Sequence, residues 1–189
     1  MLLYFRMKKI LVFIWEIAKI IIISLAIIIP VRYFLIQPFF VRGASMEPSF
    51  EDSDYLVIDE ISYRFDNPKR GEVIVFHPPH ALSQFFLKRI IGLPGEEVFI
   101  KDGGVIIKNK EFLDGKILDE SSYLEPGLLT SGNLDVKLGV NEYFVMGDNR
   151  LHSSDSRSWG PVSRDLFIGR VLLRAFPFNK LDILESPSY

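Results

Sequence analysis

Two residues whose types together support covalent catalysis are a serine in a turn-forming stretch and a lysine in an apolar run. Ser45 lies in "GASMEPSF", where its commonest job would be to form a turn or cap a helix. Lys88 lies in "FFLKRII", and a strand there would place it on the face of Phe86 and Ile90. Such a lysine is usually a snorkelling edge residue. If it is buried, however, its pKa falls, and a neutral amine is the general base that a serine nucleophile needs.

A polar stretch near the C-terminus supplies further candidate residues. "MGDNRLHSSDSRSWGP" offers two pairings of an acid with an arginine, Asp148 with Arg150 and Asp155 with Arg157, together with several hydroxyls. Taken alone, this composition is typical of a polar turn network.

The histidines offer a metal site and a catalytic triad as alternatives. His77 and His80 flank two prolines, which prevent a shared helical face, and no third ligand is near in sequence, so we expect loop residues and no metal. His152 stands three residues before Asp155, which allows a Ser-His-Asp triad with Ser45. No G-x-S-x-G context surrounds Ser45, which weakens that alternative.

The bulk composition limits the function classes. A chain of 189 residues suits one domain with an appendage, and a net charge of −2 argues against nucleic-acid binding. The absence of cysteine excludes disulfides, thiolate zinc sites and a cysteine nucleophile.

The N-terminal region contains a stretch long enough to cross a membrane. Residues 10–31 read "ILVFIWEIAKIIIISLAIIIPV", and as a helix they would span roughly 33 Å. Glu16 and Lys19 stand one turn apart and can pair. A buried helix of a soluble protein would need a polar face, which the isoleucines do not leave. A cleavable signal peptide would need small residues at −3 and −1, but Arg42 stands two before Ala44, so we predict an uncleaved anchor.

The charges beside this stretch predict its orientation. Arg6, Lys8 and Lys9 precede it, which places the N-terminus in the cytoplasm by the positive-inside rule. We therefore predict a cytoplasmic N-terminus and single transmembrane anchor over 1–37, continuing toward Leu35 or Ile36, and an extracytoplasmic domain over 38–189.

The rest of the chain has the pattern of a mainly β, antiparallel domain. Short apolar runs are separated by Gly, Pro, Asn and Asp, and Asp102-Gly103 is placed for a tight hairpin turn. Residues 113–140 are polar and rich in turn formers, which predicts a surface excursion. The predicted strands are 55–59, 72–76, 85–91, 96–100, 104–108, 142–146 and 166–176.

In their order and their residues, five segments of this chain resemble the sequence motifs of the bacterial type I signal peptidases. These are membrane-bound Ser/Lys proteases that cleave leader peptides from exported proteins. The segments are "QPFFV", "GASMEPS", "RGEVIVF", "KRIIGLPGE" and "GDNRLHSSDSRSWGPV". With the anchor, the resemblance covers nearly the whole chain.

The resemblance implies a role for each candidate. Ser45 is then the acylating nucleophile, Lys88 the general base, and Ser153 the hydroxyl that orients the lysine amine. The position of Ser45 near the membrane also fits, because the scissile bond lies just outside it. The supporting ionic residues would be Asp148, Asp155, Arg157 and Arg89, the last as a partner of Asp148. The substrate pocket would be lined by Met46, Phe86 and Met146. Phe39 and Phe40 would lie at the lipid interface.

Three features depart from the family pattern. Ser49 stands where the family often has threonine, which keeps a hydroxyl. Gly43 stands where some members place a serine that helps the oxyanion hole, so this chain should use backbone donors. The interval from Gly95 to Gly147 is short, so the extra β domain of larger members should be small or missing.

These observations predict a single-pass serine endopeptidase of the bacterial cytoplasmic (inner) membrane, with its active site on the extracytoplasmic side. It would use Ser45 and Lys88 without metal or cofactor, on secreted preproteins with small residues, chiefly alanine, at −1 and −3. Its partners would be these preproteins and the lipid bilayer, without nucleic acid. Two alternatives stay open: a Ser-His-Asp hydrolase using His152, and a membrane-anchored β module or inactive relative that only binds export substrates.

Overall fold

A long N-terminal helix precedes two antiparallel sheets in the computed structural model, which describes residues 2–34, 36–184, 186–187 and 189. Helix α1 covers Leu2–Phe34, and within it Lys9–Ile29 is long and apolar enough to cross a membrane and is not buried. Lys19 Nζ donates to Glu16 Oε1 at 2.7 Å, as the one-turn spacing predicts.

The helix gives way to the first strand earlier than predicted. Strand β1 begins at Ile36, so the predicted boundary between residues 37 and 38 falls inside a strand; Leu35 lies outside the described residues. Pro38 is tolerated there because β1 is the edge strand of its sheet.

The larger sheet contains the strand that carries Lys88 and the two strands that flank the turn of Ser45 in sequence. Its order is β1-β2-β11-β3-β4-β9-β10, with β12 paired to β11. The bounds are β1 Ile36–Phe40, β2 Tyr55–Asp59, β3 Val73–Phe76, β4 Phe86–Gly92, β9 Glu142–Met146, β10 Val162–Ser163, β11 Phe167–Phe176 and β12 Asp182–Ile183. One short helix, α2 (Ser156–Trp159), follows β9.

The smaller sheet fills the interval between Gly95 and Gly147. Its order is β7-β6-β5-β8, so the extra β element is small but present. Asp102 and Gly103 join β5 to β6 with φ of 53° and 82°, which confirms the predicted tight hairpin. The bounds are β5 Glu97–Lys101, β6 Gly104–Lys108, β7 Lys116–Ile117 and β8 Leu134–Lys137.

The prediction of a surface excursion over 113–140 needs correction. This segment contributes β7 and β8 to the smaller sheet, through pairing with β6 and β5, and it also buries several side chains. The segment's buried residues are Leu118, Tyr123, Leu124, Thr130 and Leu138.

Two of the apolar clusters position the active site. One joins the sheets and contains Ile91 and Met146 from the larger sheet and Val98 from the smaller one. Another contains Met46 and Phe50, both buried against strands β2 and β3. Burying these two side chains holds the turn that carries Ser45 against the larger sheet.

Candidate active site

The hydroxyl of Ser45 and the amine of Lys88 meet at hydrogen-bond distance. Lys88 lies on β4 and Ser45 lies in the turn after β1, 43 residues earlier, and Lys88 Nζ is 2.8 Å from Ser45 Oγ. The two residues that the sequence combined into a nucleophile and a base are therefore adjacent in the fold.

Lys88 occupies a setting that disfavours its charged form. The residue is 3% exposed, and its burial lowers the pKa of the amine to about 8, against the opposing effect of the carboxylates of Asp155 and Asp148. Besides Ser45, the amine donates to the backbone carbonyl of Leu87 at 2.9 Å, and the Phe86 ring centroid lies 5.3 Å away. Neutral acceptors thus hold the amine without a carboxylate in direct contact among the described residues.

The backbone before Ser45 is fixed by a carboxylate that the sequence did not single out. The amide of Gly43 donates to Asp52 Oδ1 at 2.7 Å, which lowers the pKa of Asp52. Gly43 has φ of +85°, a conformation that favours glycine. A Cβ at Gly43 would meet nothing within 4 Å, so backbone conformation and not crowding within the protein explains the glycine.

The segment after β9 makes hydrogen bonds to the turn that carries Ser45. The Asn149 amide donates to Ser45 O at 3.2 Å, and Asn149 Nδ2 donates to Ala44 O at 2.9 Å. A Cβ at Gly147 would collide with Ser45 O and with Ser153 Oγ. Neither Gly147 nor Asn149 was singled out from the sequence, although both flank Asp148 in the "GDN" triplet and that adjacency was the available signal.

Arg89 and Asp148 form a buried ion pair, as predicted. Arg89 Nε donates to Asp148 Oδ1 at 2.9 Å, and Nη2 donates to Oδ2 at 2.6 Å. The guanidinium also donates to the carbonyl of Gly71 at 2.8 Å and to Ser49 Oγ at 3.4 Å. The hydroxyl kept at Ser49 thus belongs to this network, which joins β4 to the segment after β9.

The alternative pairing of Asp148 with Arg150, which their nearness in sequence offered, is not formed. Arg150 is fully buried and binds Glu120 instead, with Nη2 2.6 Å from Oε1 and Nη1 3.0 Å from Oε2. Arg150 Nη1 also donates to Thr130 Oγ1. Because Arg89 occupies both oxygens of Asp148, Arg150 takes its partner from the 113–140 segment.

Asp155 and Arg157 form the other predicted pair. Arg157 Nε and Nη2 lie 2.8 Å from the two oxygens of Asp155, and the amide of Gly147 also donates to Oδ2 at 3.0 Å. Burial raises the pKa of Asp155, but these donors outweigh it and the net pKa is lowered. Because the carboxylate is occupied and His152 is exposed, the geometry of a Ser-His-Asp triad is absent from these residues.

Ser153 lies against the turn that carries Ser45, but it makes no hydrogen bond to the amine of Lys88. Its hydroxyl is buried against Gly147 and near enough to Asp155 to help lower the pKa of that carboxyl. Across the part of the chain that is described, the Ser153 hydroxyl makes no hydrogen bond of normal geometry. In this structure the lysine amine donates to the carbonyl of Leu87 instead, and the role of Ser153 stays a prediction.

A cleft of about 590 Å³ opens at the Ser45–Lys88 pair. Its walls include Met46 and Phe86, both predicted pocket residues, but not Met146. Its lining residues are Phe39, Phe40, Val41, Arg42, Ser45, Met46, Leu56, Val75, Gln84, Phe85, Phe86, Leu87, Lys88 and Ser154.

Strand pairing explains why Met146 is not among these residues. Met146 pairs with Arg89 across β9 and β4, so its side chain leaves the sheet on the face opposite that of Lys88. It packs between the two sheets instead.

His77 and His80 lie in the loop between β3 and β4. His77 Nδ1 is 2.9 Å from the carbonyl of Gln84, and its ring packs against Phe85. The His80 ring lies 5.8 Å from the rings of both Phe86 and Trp159. Both histidines therefore pack among aromatic side chains beside the cleft.

Comparisons with known proteins identify the family. The family model described as "Signal peptidase, peptidase S26" matches residues 14–176. The chain is 37% identical over 176 residues to the probable signal peptidase I-2 of Synechocystis sp., covering 90% of this chain and 77% of that protein. It is 37% identical over 172 residues to signal peptidase I of Leptolyngbya laminosa, covering 87% and 81%.

One solved structure, a signal peptidase I from Enterococcus faecalis, is 28% identical and has a TM-score of 0.46; it covers 56% of this chain and 97% of its own. From the family match and the two relatives, the chain belongs to the signal peptidase family S26, and it is a serine peptidase. The resemblance stated from the sequence is confirmed, and helix α1 is consistent with membrane anchoring.

Proposed function

We propose that this protein is a membrane-bound serine endopeptidase that removes N-terminal signal peptides from exported preproteins through a Ser45–Lys88 dyad. The observation that carries the proposal is the 2.8 Å contact between a serine hydroxyl and a buried lysine amine at the base of an apolar cleft. Since burial lowers the pKa of Lys88 to about 8, a substantial fraction of the amine is neutral near that pH.

The dyad supports acyl transfer in two steps. Ser45 Oγ attacks the scissile carbonyl carbon while its proton moves to Lys88 Nζ, and the ammonium then donates that proton to the departing amine. In the second step Lys88 takes a proton from water, whose oxygen attacks the acyl carbon; the bond from that carbon to Ser45 Oγ then breaks, the ammonium gives its proton to Oγ, and the peptide leaves with a free carboxyl group. Lys88 acts as base and then as acid in each half of the reaction.

Backbone N–H groups are the donors available for the oxyanion. The amide of Gly43 is already bonded to Asp52 Oδ1, whereas the amide of Ser45 has no acceptor in the described part of the chain. We assign the Ser45 amide as an oxyanion donor, which fits the absence of a side-chain hydroxyl at Gly43.

The cleft supports the expected substrate preference. Phe39, Phe86 and Leu87 bring bulky apolar side chains to its walls, beside Ser45. Such walls favour small apolar residues, chiefly alanine, at −1 and −3 of the cleaved peptide.

The charge pattern supports the topology. Arg6, Lys8 and Lys9 precede the apolar segment, so we assign the N-terminus to the cytoplasm and the cleft to the extracytoplasmic side of the bacterial cytoplasmic membrane. The exposed Phe40, at the cleft, is suited to contact the lipid interface. The partners are then preproteins and the bilayer, without nucleic acid.

Turnover of one leader-bearing precursor by four proteins tests the proposal. Wild type and His152→Ala should cleave it at similar rates, whereas Ser45→Ala and Lys88→Ala should be inactive and folded. Loss of activity in His152→Ala with retention in Lys88→Ala would favour the Ser-His-Asp alternative. Binding without turnover by the wild type would favour a binding module.

A reporter fused after Tyr189 tests the topology. A reporter that works only outside the cytoplasm should be active there, and activity of a strictly cytoplasmic reporter would overturn the assignment. Because the reporter reads only the position of the fusion point, this result is independent of catalysis.

A further inference from the structure

Asn149 holds both peptide groups that flank the nucleophile. Its side-chain Nδ2 donates to the carbonyl of Ala44 at 2.9 Å, and its backbone amide donates to the carbonyl of Ser45 at 3.2 Å. The first contact restrains the peptide before Ser45, whose carbonyl also accepts from the amide of Glu47 at 3.2 Å, and the second restrains the peptide after it. Residue 149 thus restrains the backbone on either side of the reacting side chain.

Because the peptide group is planar, the contact of Asn149 Nδ2 with the Ala44 carbonyl also restricts the orientation of the Ser45 N–H, the proposed oxyanion donor. The carbonyl of Ala44 and the N–H of Ser45 belong to one trans peptide and point in opposite directions. Since Asn149 Nδ2 binds the Ala44 carbonyl, the Ser45 N–H points to the opposite side, away from Asn149. Hydrogen bonding to the carbonyl also polarises the same peptide, which makes the N–H a stronger donor.

We infer that the side-chain amide of Asn149 is a positioning residue for the oxyanion hole, acting through the Ala44–Ser45 peptide. The inference rests on the proposed function, because it requires Ser45 to be the nucleophile and its amide to bind the oxyanion. Asn149 touches neither reacting group of the dyad; its contribution is to fix the direction in which the Ser45 N–H points.

A second contact of Asn149 supplies the alternative explanation. Its Oδ1 accepts from the amide of His152 at 3.2 Å, so the side chain also closes the turn that follows. The two contacts use different ends of the carboxamide. Asn149→Asp keeps an acceptor for His152 and removes the donor to Ala44, so it separates positioning of the peptide from closure of the turn.

Steady-state kinetics give the first test. For Asn149→Ala and Asn149→Asp we expect kcat to fall roughly ten- to hundredfold with KM within about twofold of wild type, because the interaction is used in the transition state. Asn141→Ala is the matched control, since its exposed side-chain amide donates to Ser163 and Asp165 at 3.2 Å, away from the cleft. It should keep wild-type kcat.

Inhibition by a peptide aldehyde distinguishes loss of the oxyanion hole from general damage to the structure. General damage would weaken the aldehyde and a non-reacting analogue alike. Ser45 Oγ adds to the aldehyde carbon while its proton moves to Lys88, which leaves a tetrahedral hemiacetal oxyanion in the hole. The Ki of the aldehyde should rise in Asn149→Ala by about the factor by which kcat falls. The Ki of the corresponding peptide carboxamide, which forms no adduct, should stay unchanged.

Three outcomes would overturn the inference. Asn149→Asp with wild-type kcat would leave turn closure as the only role of the side chain. A parallel rise of both Ki values would indicate damage to substrate binding, and wild-type kcat in Asn149→Ala would remove the residue from catalysis. Ser45→Ala, assayed beside them, separates the two proposals: if it is inactive, a failure at Asn149 concerns this inference alone, and if it is active, the dyad itself is wrong.

Discussion

Lys88 and Arg89 are consecutive residues on β4 and both are almost fully buried, yet their pKa values shift in opposite directions. They are 3% and 5% exposed, and their side chains leave the strand on opposite faces. Lys88 meets a hydroxyl and a carbonyl, and its pKa falls to about 8. Arg89 meets both oxygens of Asp148, and its pKa is raised although burial alone would lower it.

The difference shows that burial pushes both pKa values downward, and that the partner decides the direction of the net shift. Removing a charged group from water favours its neutral form in both places. On the face of Arg89 the carboxylate of Asp148 outweighs the effect of burial and raises the pKa, whereas on the face of Lys88 the nearest polar partners are neutral and the pKa stays lowered. One strand therefore presents a structural cation on one side and a titrating base on the other.

The largest expected effect is on turnover, in Lys88→Arg. The substitution keeps a long cationic side chain, but a guanidinium does not deprotonate in proteins and so cannot act as a base. We expect kcat/KM on a leader peptide to fall by about 10²- to 10⁴-fold, the usual contribution of a general base. Retention of a tenth of wild-type activity would show that the dyad does not need a neutral amine.

The next effect is on stability, in Arg89→Met. The change leaves Asp148 buried without its partner, which costs about 3–5 kcal/mol in the free energy of unfolding. Urea denaturation in detergent micelles measures it. The double variant Arg89→Met with Asp148→Leu should recover most of the loss, because it removes both charges. A loss below about 1 kcal/mol in the single variant would contradict a structural role for the pair.

A moderate effect is expected when a carboxylate is added beside the lysine, in Phe86→Glu. The wild-type acid limb of kcat/KM should rise with pH through about 8, because the protonated amine that predominates below this pH is inactive. A carboxylate near the ammonium stabilises the charged form, so the limb should move upward by about one pH unit, with activity recovered at higher pH. Phe86→Gln, similar in shape and uncharged, should leave the limb near the wild-type value. Equal limbs in the two variants would count against Lys88 as the titrating base.

The smallest effect is expected at an exposed ion pair, in Lys137→Ala. Lys137 Nζ lies 3.3 Å from Glu97 Oε1 on the smaller sheet, and its side chain is 77% exposed. Its removal should change the free energy of unfolding by less than about 1 kcal/mol, because water screens the pair. A cost as large as that of Arg89→Met would mean that burial is not what distinguishes the two pairs.

The strands were largely predictable from the sequence, whereas the meeting of Ser45 and Lys88 was not predictable from local patterns. The apolar runs around "YLVID" and "GVIIK" coincide with β2 and β6, since local alternation and flanking turn residues determine them. The distance between Ser45 and Lys88 follows from no local rule. It was anticipated only because the motifs resemble those of a known family.

The partners of buried polar groups were less predictable. Asp148 pairs with Arg89 and not with Arg150 because the turn after β9 faces β4, and Arg150 then binds Glu120, 30 residues earlier in a polar segment without periodicity. Met146 was placed in the pocket by the family resemblance, and the sequence alone did not reveal that its strand pairing with Arg89 turns it to the other face. Asn149 makes its contacts from a turn, where no hydrophobic pattern indicates direction.

The opposite placement of Lys88 and Arg89 also bears on how the chain reaches its native strand register. A slip of β4 by one residue would exchange the two faces of the strand. Arg89 would then point toward Ser45 and away from Asp148, and Lys88 would be the cation left to face that carboxylate. A lysine offers a single point charge where Arg89 offers a planar fork of donors, so the slipped arrangement would satisfy neither site. The bidentate pair thus favours the native alignment of β4, which is also the alignment that brings Lys88 to Ser45.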